Sequence, residues 1–175
     1  MEAERPRERN GTMAAVPAAQ KEIARFEERL DRAVEEVFGT MMGVSCVPVR
    51  RAADRVPEQG TLSAVVGLAG AISGSLVFES GGDAAIRIAE RLTGTQPQTV
   101  DALVRDAIGE MANMIAGAWK GADPELASGC LLSTPTVVAG TNYQLFSQRA
   151  AIRIERRYAF EQRSLTITIF CEFAE

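Results

Sequence analysis

The sequence predicts an α+β fold, a single domain with a mainly antiparallel β-sheet covered by helices in the order α-β-β-β-α-α-β-β-β. Three observations carry it. Stretches with apolar residues every three or four positions are interspersed with stretches where every second residue is apolar, the periods of helix and strand. Two of the strand-like stretches are joined by a short glycine-bearing link, which is a hairpin signal. A chain of 175 residues, 46% of them hydrophobic, is long enough to bury one sizeable core and short for several.

Residues 1–19 are charged, then rich in Ala and Pro, without a burial period. They are read as a flexible tail, leaving 20–175 as the folded domain. Met13 stands at the shift in composition and is an alternative start. From Gln20, the residues Ile23, Phe26, Leu30, Val34, Val37 and Phe38 recur at helical spacing, with Glu28, Arg29, Arg32, Glu35 and Glu36 on the other side. Gly39 is placed as the stop. Val44 to Arg51 is a candidate first strand. Leu62, Ala64, Val66 and Leu68 then alternate with Thr61, Ser63, Val65 and Gly67, and Gly74, Leu76 and Phe78 with Ser73, Ser75 and Val77. Ala69-Gly70-Ala71 is the turn between them.

Asp83 is read as the N-cap of a short helix whose apolar face is Ala85, Ile88, Ala89 and Leu92, closed by Gly94. A polar, proline-containing linker leads to a helix from about Val100 to Lys120. The remainder reads as β: a run near Cys130 to Val138, then a pair, Ala150–Tyr158 and Ser164–Phe173. In the last of these Leu165, Ile167, Ile169, Cys171 and Phe173 alternate with Ser164, Thr166, Thr168 and Glu172, so one face packs and the other meets water or a partner.

Composition removes several function classes. The sequence has no histidine, so Ser-His-Asp and Cys-His nucleophilic systems and His-x-x-x-His zinc sites are excluded. A net charge of −4 and a pI of 5.1 give no electrostatic footprint for nucleic acid. Arg149, Arg153, Arg156, Arg157 and Arg163 are interrupted by Glu155 and Glu161 and read as a wet strand face. No apolar run is long enough to span a membrane. Met1 to Asn10 has no signal-peptide core after it, and Cys46, Cys130 and Cys171 are odd in number and far apart, which favours a reduced, cytoplasmic setting.

The segment richest in chemistry runs from Asp106 to Lys120. On a helix, Val104, Ile108, Met111, Ile115 and Trp119 form an apolar stripe, while Asp106, Glu110, Asn113 and Gly117 line the opposite side at spacings of four, three and four. Gly109 and Ala116 flank the polar stripe and are read as a surface cleared for close approach. A carboxylate can pair with a cation or act as a base, whereas a carboxamide only donates and accepts hydrogen bonds. An amide therefore suits orienting a water. Phosphoryl transfer is a chemistry in which that suffices, because its loose transition state needs in-line placement more than a strong base. The chain has no phosphate-binding Gly-x-x-x-x-Gly-Lys loop and no cluster of metal ligands, so phosphate and metal would arrive with the substrate.

Glu110-x-x-Asn113 within Gly-Glu-Met-Ala-Asn-Met-Ile-Ala-Gly resembles the signature helix of the CheX/CheC/FliY family of chemotaxis phosphatases, the CheX branch most of all. Asp106 matches an Asp or Ser that the family carries four residues before the Glu. Pro135, in Ser133-Thr-Pro-Thr-Val-Val-Ala-Gly140, matches a family proline, though its spacing from Asn113 is one residue short. Gly67 to Phe78 resembles the family's glycine-marked hairpin. CheC-type members carry the Glu/Asn pair twice; this chain carries it once, as CheX does.

The resemblance implies a CheC-like domain that hydrolyses the aspartyl phosphate of a CheY-like response-regulator receiver. It implies that Asn113 orients the attacking water and that Glu110 pairs with a receiver lysine, with Asp106, Glu110 and Gly117 at the docking surface. It further implies that Mg²⁺ sits on the receiver, none being bound by this chain, and that two copies associate through sheet edges, with which the alternating C-terminal strand is compatible. Two other readings stand beside it: a non-catalytic module that binds a receiver or a switch-like partner, and a purely structural oligomerisation domain. Glu-x-x-Asn alone is a short pattern whose plainest meaning is a solvated helix face, and only its context raises it above that.

Overall fold

The computed structural model describes residues 15–49, 61–141, 143, 145 and 151–173, the first five of these by backbone alone. Among the described residues four helices and seven strands follow in the order α1 (Ala15–Met42), β1 (Val47–Pro48), β2 (Thr61–Gly70), β3 (Ile72–Gly81), α2 (Gly82–Thr93), α3 (Ala102–Gly121), α4 (Pro124–Gly129), β4 (Cys130–Leu132), β5 (Thr136–Gly140), β6 (Ile152–Phe160) and β7 (Arg163–Phe173). All strand pairs are antiparallel, in the order β1-β6-β7-β3-β2, and the outer side of β2 is shared by β4 and β5.

Register explains the core. The rows Ala64–Phe78–Ile167 and Val66–Leu76–Ile169–Ile154 run across one face, and every member is buried. The helices cover that face: α3 lies on β2 and β3, α2 on β3 and β7, and α1 on β6 while packing against α2 and α3. Phe26, Leu30, Val34 and Phe38 of α1 enter this core with Ile88 of α2 and Ile108, Met111, Ile115 and Trp119 of α3.

Several boundaries differ from the sequence reading, each for a local reason. The described part of helix α1 already covers 15–19, inside the stretch expected as tail, where the alanines are the best helix formers. The tail's residues 1–14 lie outside the described residues. The stop is Gly43, not Gly39: Gly43 has φ +67° and its N–H returns to Gly39 O at 3.1 Å. Asp83 is not the cap of α2; Gly81 is, without a side-chain bond, and Asp83 sits in the first turn, where it pairs with Arg163 at 2.9 Å. Gly94 does close α2, at φ +70°.

The run read as one strand near Cys130 to Val138 is preceded by a helical turn and broken by Ser133–Pro135. Helix α4 has its own sequence signal in Asp123-Pro124: Asp123 accepts from the N–H groups of Glu125 and Leu126 at 2.8 and 3.2 Å, and Pro124 fills the first helical position. Strand β7 lies between β6 and β3, so it is no sheet edge; among the described residues the edges are β1 and the β4/β5 side. Phe173, expected on the packed face of β7, is half exposed and meets Phe26 at 6.0 Å.

The β6–β7 hairpin is tied to α2 by charge. Its two turn residues, Glu161 and Gln162, have φ of +42° and +65°, the backbone that a two-residue hairpin of this twist demands. Glu161 accepts from Arg87 at 2.5 and 3.2 Å and pairs with Arg91. The Arg87 hydrogen bond, then that of Arg91, hold its carboxyl down at about 2 against the opposing pull of burial. A depressed carboxyl stabilises the fold above its ordinary pKa, and that contribution is lost as pH falls through the folded value. The gap in urea midpoint between wild type and Glu161→Gln is therefore expected to be full at neutral pH and to close between about pH 4.5 and about pH 2. A gap independent of pH would remove these ion pairs from the stability of the fold.

Candidate functional site on the outer face of α3

Helix α3 is fixed at both ends and along one side. Val104 N–H donates to Asp101 Oδ1 at 3.0 Å, capping the first turn. At the last turn the Lys120 ammonium donates to the carbonyls of Cys130 and Ala127 at 2.6 and 3.2 Å, tying α3 to α4 and β4. Val104, Ile108, Met111, Ile115 and Trp119 are fully buried, as the apolar stripe requires.

The opposite stripe is presented outward. Asp106 and Glu110 are exposed, Asn113 and Gly117 are partly exposed, and Leu103, one turn before Asp106, continues the same line as an exposed apolar side chain. All four sequence-predicted site residues thus share one face of one rigid element. The polar side chains of α3 that do make bonds are Arg105, to Val100 O at 3.4 Å, the buried Trp119, to Phe26 O at 3.3 Å, and Lys120. Among the described residues Glu110 and Asn113 have no hydrogen-bonding or ion-pair partner, which leaves a carboxylate and a carboxamide available to another molecule.

Two small residues do not behave as the sequence reading supposed. Gly109 and Ala116 are buried, not part of a cleared surface. A Cβ on Gly109 would stand 3.3 Å from Val137 Cγ2 and 3.5 Å from Pro135 Cγ, so the glycine admits the β4–β5 connection onto the helix. Pro135 is therefore beside the polar stripe, which the sequence did not reveal.

The site is a convex helix face. A depression of about 500 Å³ lies elsewhere, lined by Glu22, Arg25, Asp123, Pro124, Glu125 and Phe173, none of them on the stripe. Small-molecule sites are concave, so the stripe suits a macromolecule that supplies the concavity. Rival chemistries lack their groups. Burial pushes the Cys46 thiol up to about 12, and burial, then the neighbouring Cys130, pushes Cys171 up to about 11, so neither is a thiolate at neutral pH. Among the described residues no three Cys, Asp or Glu side chains gather as a metal would need. Of the strand arginines, Arg153 pairs with Glu155, Arg156 with Asp31 and Arg163 with Asp83, while Arg157 donates to Ser164 Oγ at 3.0 Å and Arg149 lies outside the described residues. No helix among the described residues is long and apolar enough to cross a membrane.

Comparison with known proteins adds three findings. The protein "CheY-P phosphatase CheX" of Thermotoga maritima is 31% identical over 88 residues, 50% of this chain and 57% of that protein, so the chain spans little more than half the length of this relative. The crystal structure of the chemotaxis protein CheX from Vibrio vulnificus superposes with a TM-score of 0.73 at 24% identity, over 86% of this chain and 98% of that one. A chain in the CheX–CheY–BeF₃–Mg²⁺ complex from Borrelia burgdorferi does so with a TM-score of 0.66 at 17% identity, over 84% and 97%. These last two likenesses speak for the fold. The family model for chemotaxis phosphatase CheX matches residues 62–155, more than half of the chain and the whole of the α3 stripe, the hairpin before it and the Pro135 strand after it; with the sheet order and helix layer found here, this chain belongs to the CheX family of chemotaxis phosphatases.

Proposed function

We propose that this chain removes the phosphoryl group from the aspartyl phosphate of a cytoplasmic response-regulator receiver. Asn113 orients the attacking water and Glu110 docks to a receiver lysine. The observation that carries this reading is the pairing, on one outward face of a rigid helix, of a carboxylate and a carboxamide that have no partners of their own among the described residues. The relative named as a CheY-P phosphatase and the solved CheX–CheY complex support the partner class.

The reaction balances without a cofactor of this chain. Water oxygen forms a bond to phosphorus in line with the acyl oxygen, the bond between phosphorus and the aspartyl carboxyl oxygen breaks with its electron pair left on the carboxylate, and both water protons leave with inorganic phosphate. Mg²⁺ belongs to the substrate in this reading, held by the receiver beside the phosphoryl group. The protein supplies placement: Asn113 carbonyl oxygen accepts from the water, and its NH₂ donates to a phosphoryl oxygen, so both reactants are aligned by one group. Asp106 and Gly117 border the docking surface, the first adding negative charge toward a cationic partner and the second leaving room. Pairing of two copies through a sheet edge would use β1 or the β4/β5 side.

The test is to add the protein in catalytic amount to a phosphorylated, Mg²⁺-bound receiver and follow phosphate release. Multiple turnovers are expected. Stoichiometric binding with an unaltered phosphate lifetime would instead establish the non-catalytic module. Loss of a charge-assisted hydrogen bond is worth about 1.5–3 kcal/mol, so Glu110→Ala is expected to weaken the affinity for a beryllofluoride-loaded receiver by roughly tenfold or more. Titration calorimetry reads this directly, and an unchanged affinity would take Glu110 out of the interface.

A further inference from the structure

Between β4 and β5 the chain makes a short connection, Ser133–Pro135, clamped by two glycines on different elements. On one side the Ser133 N–H donates to Gly67 O at 3.0 Å, while the Gly67 N–H donates to Ser133 Oγ at 2.8 Å. Ser133 Oγ donates in turn to Thr134 O at 2.9 Å. A Cβ on Gly67 would stand 3.1 Å from Ser133 Oγ, so the strand accepts the serine because that position is a glycine. On the other side the Pro135 ring rests on Gly109 of α3, with its Cγ and Cβ 3.5 and 3.7 Å from where a side chain would begin.

Gly109 is four residues before Asn113. Four residues at 100° each place Asn113 only about 40° around the helix from Gly109 and one turn further on. Helical side chains lean back toward the N-terminus and cover the turn before their own Cα. The Asn113 side chain therefore reaches back over the turn that Pro135 occupies, at the corner between the buried flank and the open face. Burial agrees: Gly109 is buried and Glu110 exposed, while Asn113 is intermediate between them.

We propose that the Ser133–Pro135 connection, seated on Gly109 and pinned to Gly67, is a wall that restricts the Asn113 carboxamide to the rotamer in which it addresses the receiver. Pro135 is a positioning residue, acting through Asn113; the rigid pyrrolidine ring supplies a surface that does not itself rearrange. The inference rests on the role given to Asn113 above, and its test separates the two. A connection that merely packs would affect stability alone. A wall affects the order of one side chain and, through it, turnover.

The sequence contains three asparagines, so selective ¹⁵N-Asn labelling yields few carboxamide signals, and the Asn113 pair is assigned by its loss in Asn113→Ala. In the wild-type protein the Asn113 carboxamide is expected to be ordered on the picosecond–nanosecond timescale, and in Pro135→Ala to become mobile. On a phosphorylated receiver, Pro135→Ala is expected to lower kcat roughly tenfold with KM changed less than about twofold, and to add nothing in the Asn113→Ala background. Gly109→Ala, which presses on Val137 and Pro135 yet introduces a better helix former, is expected to lower kcat without lowering the midpoint of thermal unfolding. Unchanged Asn113 order in Pro135→Ala, or losses that multiply in the double variant, would overturn the wall. Absence of turnover in the wild type would overturn the phosphatase reading, and the carboxamide order would still decide the wall.

Discussion

Asn113→Ala is expected to reduce the turnover of a phosphorylated receiver on the order of 10²-fold or more, with the affinity for the receiver little changed. The size follows from what the side chain does. In the proposed reaction it moves no proton and forms no bond to phosphorus; its part is to hold water at attack distance, and misplacing a reacting group by an ångström costs about that factor. Alanine cannot replace it, because both its hydrogen-bonding ends are lost. Asparagine to aspartate makes a sharper comparison: the shape is kept while a donor is lost and a negative charge is brought toward the phosphoryl oxygens, so Asn113→Asp is expected to be at least as slow as the alanine variant. Single-turnover loss of phosphate from a labelled receiver measures both. Full turnover by Asn113→Ala would defeat the catalytic assignment, whatever the family.

The largest loss of stability is expected at Trp119, on the other side of the same helix. Its indole is fully buried, meets the Phe26 ring edge-on at 5.3 Å and 77°, and donates to Phe26 O at 3.3 Å, so it joins α3 to α1. Truncating a buried tryptophan costs about 3–5 kcal/mol, against a total of about 5–15 kcal/mol for a domain. Trp119→Ala is expected to lower the urea midpoint steeply with an unchanged slope, and Trp119→Phe, which keeps an aromatic ring against Phe26, to recover most of it. Because the apolar and polar stripes are on opposite sides, whatever protein remains folded should bind a receiver normally. A Trp119→Ala protein as stable as wild type would mean that α3 is not packed as described.

Both expectations were within reach of the sequence because a helix converts spacing into direction. The intervals from Val104 to Trp119 and from Asp106 to Gly117 separate the buried side from the presented one, and the structure places them so. What spacing does not convey is what packs on the flank. Gly109 and Ala116 look like clearance when only their own helix is considered, yet both are buried, Gly109 because β5 and the proline before it lie on it. The same limit applies to β7. Its alternation gives the face it buries but not its neighbours, since pairing depends on chain returning from distant positions. Helix ends are harder again: Gly39 and Gly43 are both adequate stops by composition, and the choice falls to which one the packed face of α1 reaches.

The interior place of β7 has a consequence for how the protein is made. As the chain leaves the ribosome, β2, β3 and the entire α3 stripe emerge first, yet β3 then shows one bare row of amides and carbonyls where β7 will later lie. The α3 face proposed here to meet a receiver is thus translated well before the sheet beneath it can close, and the nascent chain must keep that open row from finding another strand until β7 arrives.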